Sequence, residues 1–335
     1  MKVARLHGIG DIRVGEEPDP VPGAGQSLVR VTAIGLCGSD LHWYGEGGIG
    51  DAQLSAPLVV GHEFAGVVES GPLKGRRVAV DPAIPCHVCE LCREGHPNLC
   101  LDIGFAGHGV TDGGLRELLV WPSSRLHPLP DNLSDADGAM LEPLGVAVHS
   151  LDLGHVRLGD TVAVIGCGPI GLLLIRLARL AGAATVVASD PLPQRREAAT
   201  RYGADAVFDP ASGADVNEFL REAVGVGANV VFEVAGSNDA VATSMLAARP
   251  GGRVVLVGIP DPDEIAFPAS TARRKGLTIA LVRRMKEVYP RAIALVEKGQ
   301  VDVSSLVSDR YTLDEVAEAF KSATARRGLK TVVEP

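Results

Sequence analysis

The second half of this chain alternates strand and helix without interruption, and that alternation leaves few folds open. TVAVIG reads as an apolar strand and PIGLLLIRLARLAGA as a helix. Strand TVVASD, helix QRREAATRYGA, strand AVFD and helix ADVNEFLREAV follow, and then strand NVVFEVAG, helix NDAVATSMLAA and strands GRVVLVGI and GLTIALV. Apolar strands separated by helices of about three turns predict a parallel sheet covered on both faces. Six such strands fit a doubly wound, dinucleotide-binding arrangement.

The first strand-to-helix turn carries Gly166-x-Gly168-x-x-Gly171. The first glycine permits a tight turn, the second lets a pyrophosphate approach the backbone, and the third lets the helix sit close to the strand. Pro169 and Ile170 lie inside this loop. Val257, Gly258, Leu281 and Val282, at the ends of later strands, join them as cofactor-contact candidates. Asp190 closes the next strand, nineteen residues after Gly171, where a carboxylate accepts from an adenosine ribose and repels a 2′-phosphate. Pro191 rather than Arg follows it, which favours NAD over NADP, while Arg195 offers a guanidinium to a phosphate or an adenine ring. Cys167 reads as a small packing residue.

Residues 1 to about 130 have another texture: short β-rich runs broken by Gly and Pro, among them SLVRVTAIG, FAGVVES, RRVAV and LRELLVWP. A compact β-domain with long functional loops is expected. SDADGAMLEPLGVAVHSLDL has helical spacing with Ser134 or Asp135 as cap and reads as a bridge. After about residue 285, two helices around PRAIALVEKG and TLDEVAEAFKSATA and a last strand LKTVVE are expected to return to the first domain. The expected domains are 1–146, 147–284 and 285–335, in keeping with 335 residues being long for one core.

A net charge of −9 argues against a nucleic-acid or anionic-membrane surface. The basic cluster Arg273-Arg274-Lys275 reads as a solvated face. MKVARLHGIGDIRV holds no apolar run for a secretion signal, and the most apolar segment is broken by Arg176 and Arg179. A cytoplasmic protein is expected, and there clustered cysteines more often bind metal than pair as disulfides.

Cys86, Cys89, Cys92 and Cys100 are spaced C-x2-C-x2-C-x7-C, which suits a closed, structural Zn²⁺ site with four thiolates. His87 and His96 lie in the loop but are not needed. Reactive metal would lie elsewhere. Cys37 in IGLCGSDLH with His62 and Glu63 in LVVGHEFAG would make an open, catalytic type of site. Singly, each has an ordinary reading: a buried thiol, a core histidine, a surface charge.

GHEFAG, the four-cysteine loop and GCGPIG together resemble the zinc-dependent medium-chain dehydrogenase/reductase family, over essentially the whole chain. CGSDLHWYGEGGIG, APLVVGHE and LEPLGVAVH resemble its polyol branch, the sorbitol (L-iditol) dehydrogenases and L-idonate 5-dehydrogenases. The resemblance implies an α/β fold, a GroES-like β-rich catalytic domain plus a doubly wound Rossmann domain. It implies Cys37, His62 and Glu63 as ligands of a catalytic zinc, with Glu142 touching the ion directly or through water. Ser39 and His42 fit a proton relay. Arg284 falls where sorbitol dehydrogenases line the substrate pocket with arginine, but Met285 replaces the usual tyrosine. Trp43 and Tyr44 wall the pocket or merely pack. FAGHGVTDGGLREL is closer to enzymes acting on sugar acids.

The expected activity is NAD-dependent interconversion of a secondary alcohol and its ketone, on a polyol or a sugar acid, with two zinc ions per chain and both domains bordering one cleft. Rival readings are a general alcohol or L-threonine dehydrogenase of the same family and a non-catalytic NAD-binding scaffold. A homotetramer or homodimer is what the resemblance implies.

Overall fold

The computed structural model describes residues 1–335, the side chain of Arg221 apart. The chain divides into two compact units, Met1–Pro143 with Lys286–Pro335, and Leu144–Met285.

In the second unit the six expected strands form one parallel sheet. Its spatial order is Ala206–Phe208, Thr185–Ser189, Thr161–Ile165, Ala228–Glu233, Ala248–Leu256, Thr278–Leu281. Numbered by sequence this is 3-2-1-4-5-6, so the order reverses beside Thr161–Ile165, which pairs with Thr185–Ser189 on one side and Ala228–Glu233 on the other. Ligands of such sheets bind beyond the strand carboxyl ends at that reversal. Val162, Val164, Val231, Phe232 and Val254 are fully or almost fully buried, as strands covered on both faces require. The helix Pro169–Leu180 buries Leu172 to Ile175, while Arg179, one of the two charges in its apolar run, donates from Nε to the Gly203 carbonyl at 2.8 Å.

Arg273 and Arg274 of the basic cluster are exposed, as expected, and Lys275 departs from that reading. The cluster ends a short helix, Ala269–Lys275, and Lys275 is half-buried with its ammonium tied to protein. Its Nζ donates to the carbonyls of Met245, Leu246 and Ala248 at 3.0, 2.7 and 2.7 Å. Those are the orphan acceptors at the end of helix Asn238–Ala247, and an ammonium there meets the negative pole of its dipole.

The first unit is built on a seven-stranded sheet. The order is Leu126–Pro128, Arg77–Val80, Glu63–Ser70, Gln26–Gly35, Lys330–Glu334, Val307–Thr312, and Leu118–Pro122 also pairs with Gln26–Gly35. The C-terminal tail thus completes the sheet of the N-terminal segment, with Val332 opposite Gly35. The edge strand Val307–Thr312 was not expected. Its run VSDRYT alternates in exposure and buries little, which leaves almost no apolar signal.

The helix Asp135–Gly154 is capped by Ser134, not Asp135. Asp137 N donates to Ser134 Oγ at 3.1 Å and Ser134 N to Asp137 Oδ2 at 2.8 Å, a reciprocal cap. This helix carries Glu142 and Pro143, and the boundary between the units falls within it. Among the described residues no helix is long and apolar enough to cross a membrane.

Candidate metal centres and dinucleotide crevice

Strand pairing brings the reactive candidates together. Gly35 at the end of Gln26–Gly35 pairs with Glu63 at the start of Glu63–Ser70, so Cys37 lands beside His62 and Glu63. One ligand atom from each of Cys37, His62 and Glu63 lies within 4.8 Å of the others. Cys37 also caps the helix Gly38–Glu46, its N–H donating to Asp40 Oδ2 at 2.9 Å. Asp40 is fully buried. Its Oδ1 accepts from Gly61 N at 3.1 Å and stands 3.5 Å from His62 Nδ1. A carboxylate behind one ring nitrogen orients the imidazole and leaves Nε2 to face a metal.

Ser39 Oγ is 3.5 Å from that Nε2. His42, one turn on along the same helix face, is half-buried with Nδ1 2.9 Å from Glu46 Oε1. Glu142 is outside the 4.8 Å set but interacts electrostatically with both His62 and Glu63, and burial pushes its carboxyl up to about 7. Trp43 is core. The Tyr44 ring packs on Phe320 at 4.9 Å between centroids, beside that same core. Phe105 stands against the His62 ring at 5.3 Å.

Asp40, Glu63 and Glu142 are buried carboxyl groups, and the buried ammonium of Lys330 lies against Glu63. Burial would raise the Asp40 carboxyl, but His62 and the amides of Cys37 and Gly61 hold it below its ordinary value. Burial opposes charge on His62, yet Asp40 and Cys37 raise it well above an ordinary imidazole. An enclosed thiol, imidazole and carboxylate set has the donor types of a divalent-cation site.

The sulfurs of Cys86, Cys89, Cys92 and Cys100 also lie within 4.8 Å of one another, as free thiols. Amides point at them: Cys86 N is 3.3 Å from Cys100 Sγ, and Cys89 N is 3.3 Å from Cys86 Sγ. Amide donation from Cys92 and Leu101 lowers Cys89 to about 6, whereas burial and the neighbouring sulfurs push Cys92 up to about 12. Four sulfurs this close cannot all ionise without a cation between them, which is the fit a tetrahedral Zn²⁺ needs. His87 faces Arg125 instead, with its Nε2 against the guanidinium.

In the second unit, Gly166 has φ +102°, a left-handed conformation that L side chains rarely adopt, and a Cβ on Gly171 would collide with the Gly166 carbonyl. Gly168 caps and Pro169 opens the following helix, whose N-terminus faces the turn. Asp190 accepts from Cys167 N at Oδ2 and Leu192 N at Oδ1, both at 2.9 Å, and Arg195 Nη1 lies 3.8 Å from Oδ2. Cys167 is buried and raised by that burial to about 12, so it is an inert packing residue. Val257 N donates to Glu233 O at 2.8 Å and Val282 N to Leu256 O at 2.9 Å, while Leu281 is exposed. Arg284, just beyond the last strand, has φ +54°, an uncommon conformation for a non-glycine that the surroundings must enforce.

Known families show the same two parts. Residues 23–131 match the alcohol dehydrogenase GroES-like domain, and residues 169–298 match the zinc-binding dehydrogenase domain. "Probable D-xylulose reductase A" of Arthroderma otae is 40% identical over 98% of this chain and 95% of its own. This chain belongs to the zinc-dependent medium-chain dehydrogenase/reductase family, polyol branch. Solved members superpose over its whole length. L-Idonate 5-dehydrogenase of Escherichia coli K-12 MG1655 has a TM-score of 0.92 at 29% identity, covering 100% of this chain and 98% of its own. A Sinorhizobium meliloti 1021 protein bound to NADP has a TM-score of 0.91 at 34% identity, covering 100% and 99%. The fold is the GroES-like domain plus the Rossmann sheet, and the protein is an oxidoreductase of a zinc-binding family.

Asp40 and Lys330 were missed by sequence reasoning. Asp40 had a signal in C-x-x-D at a helix start, a capping pattern with an unusual cap residue. Lys330 had one too: in LKTVVE it shares a strand face with Val332, and a lysine on a buried face demands an anion.

Proposed function

We propose that this chain interconverts a secondary alcohol of a polyol or sugar acid with its ketone, using NAD and a catalytic zinc. The observation that carries this reading is the enclosed Cys37, His62 and Glu63 set with Asp40 behind the imidazole. Those three side chains would hold the ion, Glu142 would meet it or its water, and the four-cysteine loop would hold a second, structural ion. When bound, the catalytic ion supplies Lewis acidity and the nicotinamide takes up a hydride.

The chain's own residues do the rest. Ser39, next to His62, accepts the hydroxyl proton while releasing its own, and His42, on the same helix face and backed by Glu46, delivers a proton to solvent. Gly166, Gly168, Pro169, Ile170 and Gly171 cradle the pyrophosphate, and Asp190 reads the adenosine ribose. Val257, Gly258, Leu281 and Val282 border the dinucleotide. Arg195, near the Asp190 carboxylate, softens its repulsion of a 2′-phosphate, so NAD is preferred and NADP tolerated. Arg284 presents a guanidinium fork to substrate hydroxyls or a carboxylate, a fork that suits both. Tyr44 supports the pocket from its place on Phe320. The assembly is a homotetramer or homodimer, and the compartment is the cytoplasm.

A kinetic panel tests this directly: pentitols, hexitols, aldonates, simple secondary alcohols and L-threonine, each with NAD and NADP. Turnover of a polyol or aldonate with NAD supports the reading. Turnover of simple alcohols or threonine alone refutes it. Metal analysis giving two zinc ions per chain supports both sites.

A further inference from the structure

Glu233 ends the fourth strand of the parallel sheet and is 1% exposed, yet it belongs to none of the residues assigned above. Its carboxylate holds a knot of backbone. Oε1 accepts from Ala235 N at 2.8 Å and Gly236 N at 2.7 Å, and Oε2 lies close to Gly258. Its own carbonyl accepts from Val257 N at 2.8 Å and Gly258 N at 3.1 Å. Two loops, 234–237 and 257–259, are therefore tied through one residue.

The knot reaches the glycine turn. Val234 N donates to the Ile165 carbonyl at 2.8 Å, and a Cβ on Gly166 would meet Ala235 N. A Cβ on Gly258 would clash with Gly236 N and with Glu233 Oε2, so the two loops approach as closely as bare backbone allows. Asp190 ends the strand on the opposite side of Thr161–Ile165. A dinucleotide whose adenosine half lies at Asp190 must run its other half across the ends of Ala228–Glu233 and Ala248–Leu256.

We infer that the Glu233 side chain is a positioning group for the nicotinamide half of the cofactor: it holds Ala235 and Gly236, against which the Val257–Gly258 segment packs. This rests on the dinucleotide reading above and adds to it a residue that touches no ligand. A buried carboxylate that accepts two amides fixes those amides rigidly, and removing it leaves them unsatisfied.

The test compares NADH with ADP-ribose, which has the adenosine half and lacks the nicotinamide. NADH affinity is followed by its fluorescence and ADP-ribose by calorimetry, on zinc-replete wild type, Glu233→Ala and Glu233→Gln. Glu233→Gln keeps an acceptor for Ala235 and Gly236 and sets an amide against Gly258, so it preserves the fold where Glu233→Ala does not. The expected result is that Glu233→Gln weakens NADH about tenfold, about 1.4 kcal/mol, and leaves ADP-ribose within about twofold. Unchanged NADH affinity, or equal loss for both ligands, overturns the assignment. Wild type that binds neither ligand refutes instead the dinucleotide reading beneath it.

Discussion

Lys330, on the last strand of the chain, places its Nζ 2.7 Å from Glu63 Oε1, with both groups almost wholly buried. The contact follows from register: Gly35 pairs with Glu63 on one side and with Val332 on the other. Breaking a buried pair by removing one partner costs about 3–5 kcal/mol, because a charge is left uncompensated. In Lys330→Met, Glu63 would lose its ammonium partner beside Cys37 and Glu142, and a bound metal would replace that countercharge. We therefore expect Lys330→Met to lower the Tm of the zinc-stripped protein more than that of the zinc-replete protein, and Lys330→Arg to restore most of the loss. Differential scanning fluorimetry with and without zinc reads this. An equal drop in both states would deny that lysine and metal share the role of countercharge.

Cys37→Ala and His62→Ala should each abolish turnover while NADH still binds, since the dinucleotide loop belongs to the other unit. Changing a group behind a metal ligand costs about 10–100-fold, so losing a ligand should exceed 100-fold. Asp40→Asn, which keeps the volume and loses the charge behind His62, should weaken zinc by about 10–100-fold. Zinc content and NADH fluorescence, measured beside kcat, separate these effects.

The parts legible in the sequence are those whose signals are local. Val162 to Ile165 read as a strand because both sheet faces are covered and every residue is apolar, and the four cysteines read as a metal loop because they lie within fifteen residues. Cys37 and His62 are twenty-five residues apart, and only the register of two strands joins them, so the residues alone left their ordinary readings open. Lys330 is 267 residues from Glu63, and nothing short of the tertiary sheet pairs them. The polar edge strand Val307–Thr312 buries too little to leave a pattern.

Asp190→Gly should raise NADP use relative to NAD. The carboxylate contributes negative charge at the ribose end, and its loss leaves the Arg195 guanidinium without its neighbour at 3.8 Å. A swing of at least tenfold in the ratio of kcat/KM values is expected, about 1.4 kcal/mol of discrimination. An unchanged ratio would show that Asp190 serves only to accept the hydrogen bonds from Cys167 N and Leu192 N.

Cys89→Ser should cost one of two zinc ions and lower thermal stability. The loop Cys86–Cys100 has only the short helix Glu90–Arg93 and a turn at Pro97–Leu99, so four metal bonds would be its main tie. Metal analysis of the purified variant should fall from about two ions per chain to about one. Retention of both would refute the four-sulfur site.

Acid stability should depend on Asp112, a hub of the first unit. Its Oδ1 accepts from Arg5 Nη1 and from Val59 N, both at 3.0 Å, and its Oδ2 from Arg5 Nη2 at 2.7 Å and Arg116 Nη2 at 2.8 Å. The Val59 amide lies three residues before His62, so this carboxylate also anchors the segment that delivers the ligand. Burial opposes the charge, but the Arg5 and Val59 bonds outweigh it and hold Asp112 below its ordinary value; Arg5 likewise lowers Glu17. A depressed folded value means the unfolded chain binds protons first as pH falls. The contribution is therefore complete above the unfolded value of about 4 and is lost as pH falls through the lower folded value. Asp112→Asn should lower stability at pH 7 by about 2 kcal/mol, the scale of hydrogen bonds to a charged group. It should also flatten the loss of stability below about pH 4, because the variant has no proton to take up at this position. Urea titrations of both proteins at a series of pH values measure the two effects together, and parallel acid limbs would show that Asp112 titrates alike in the folded and unfolded chain.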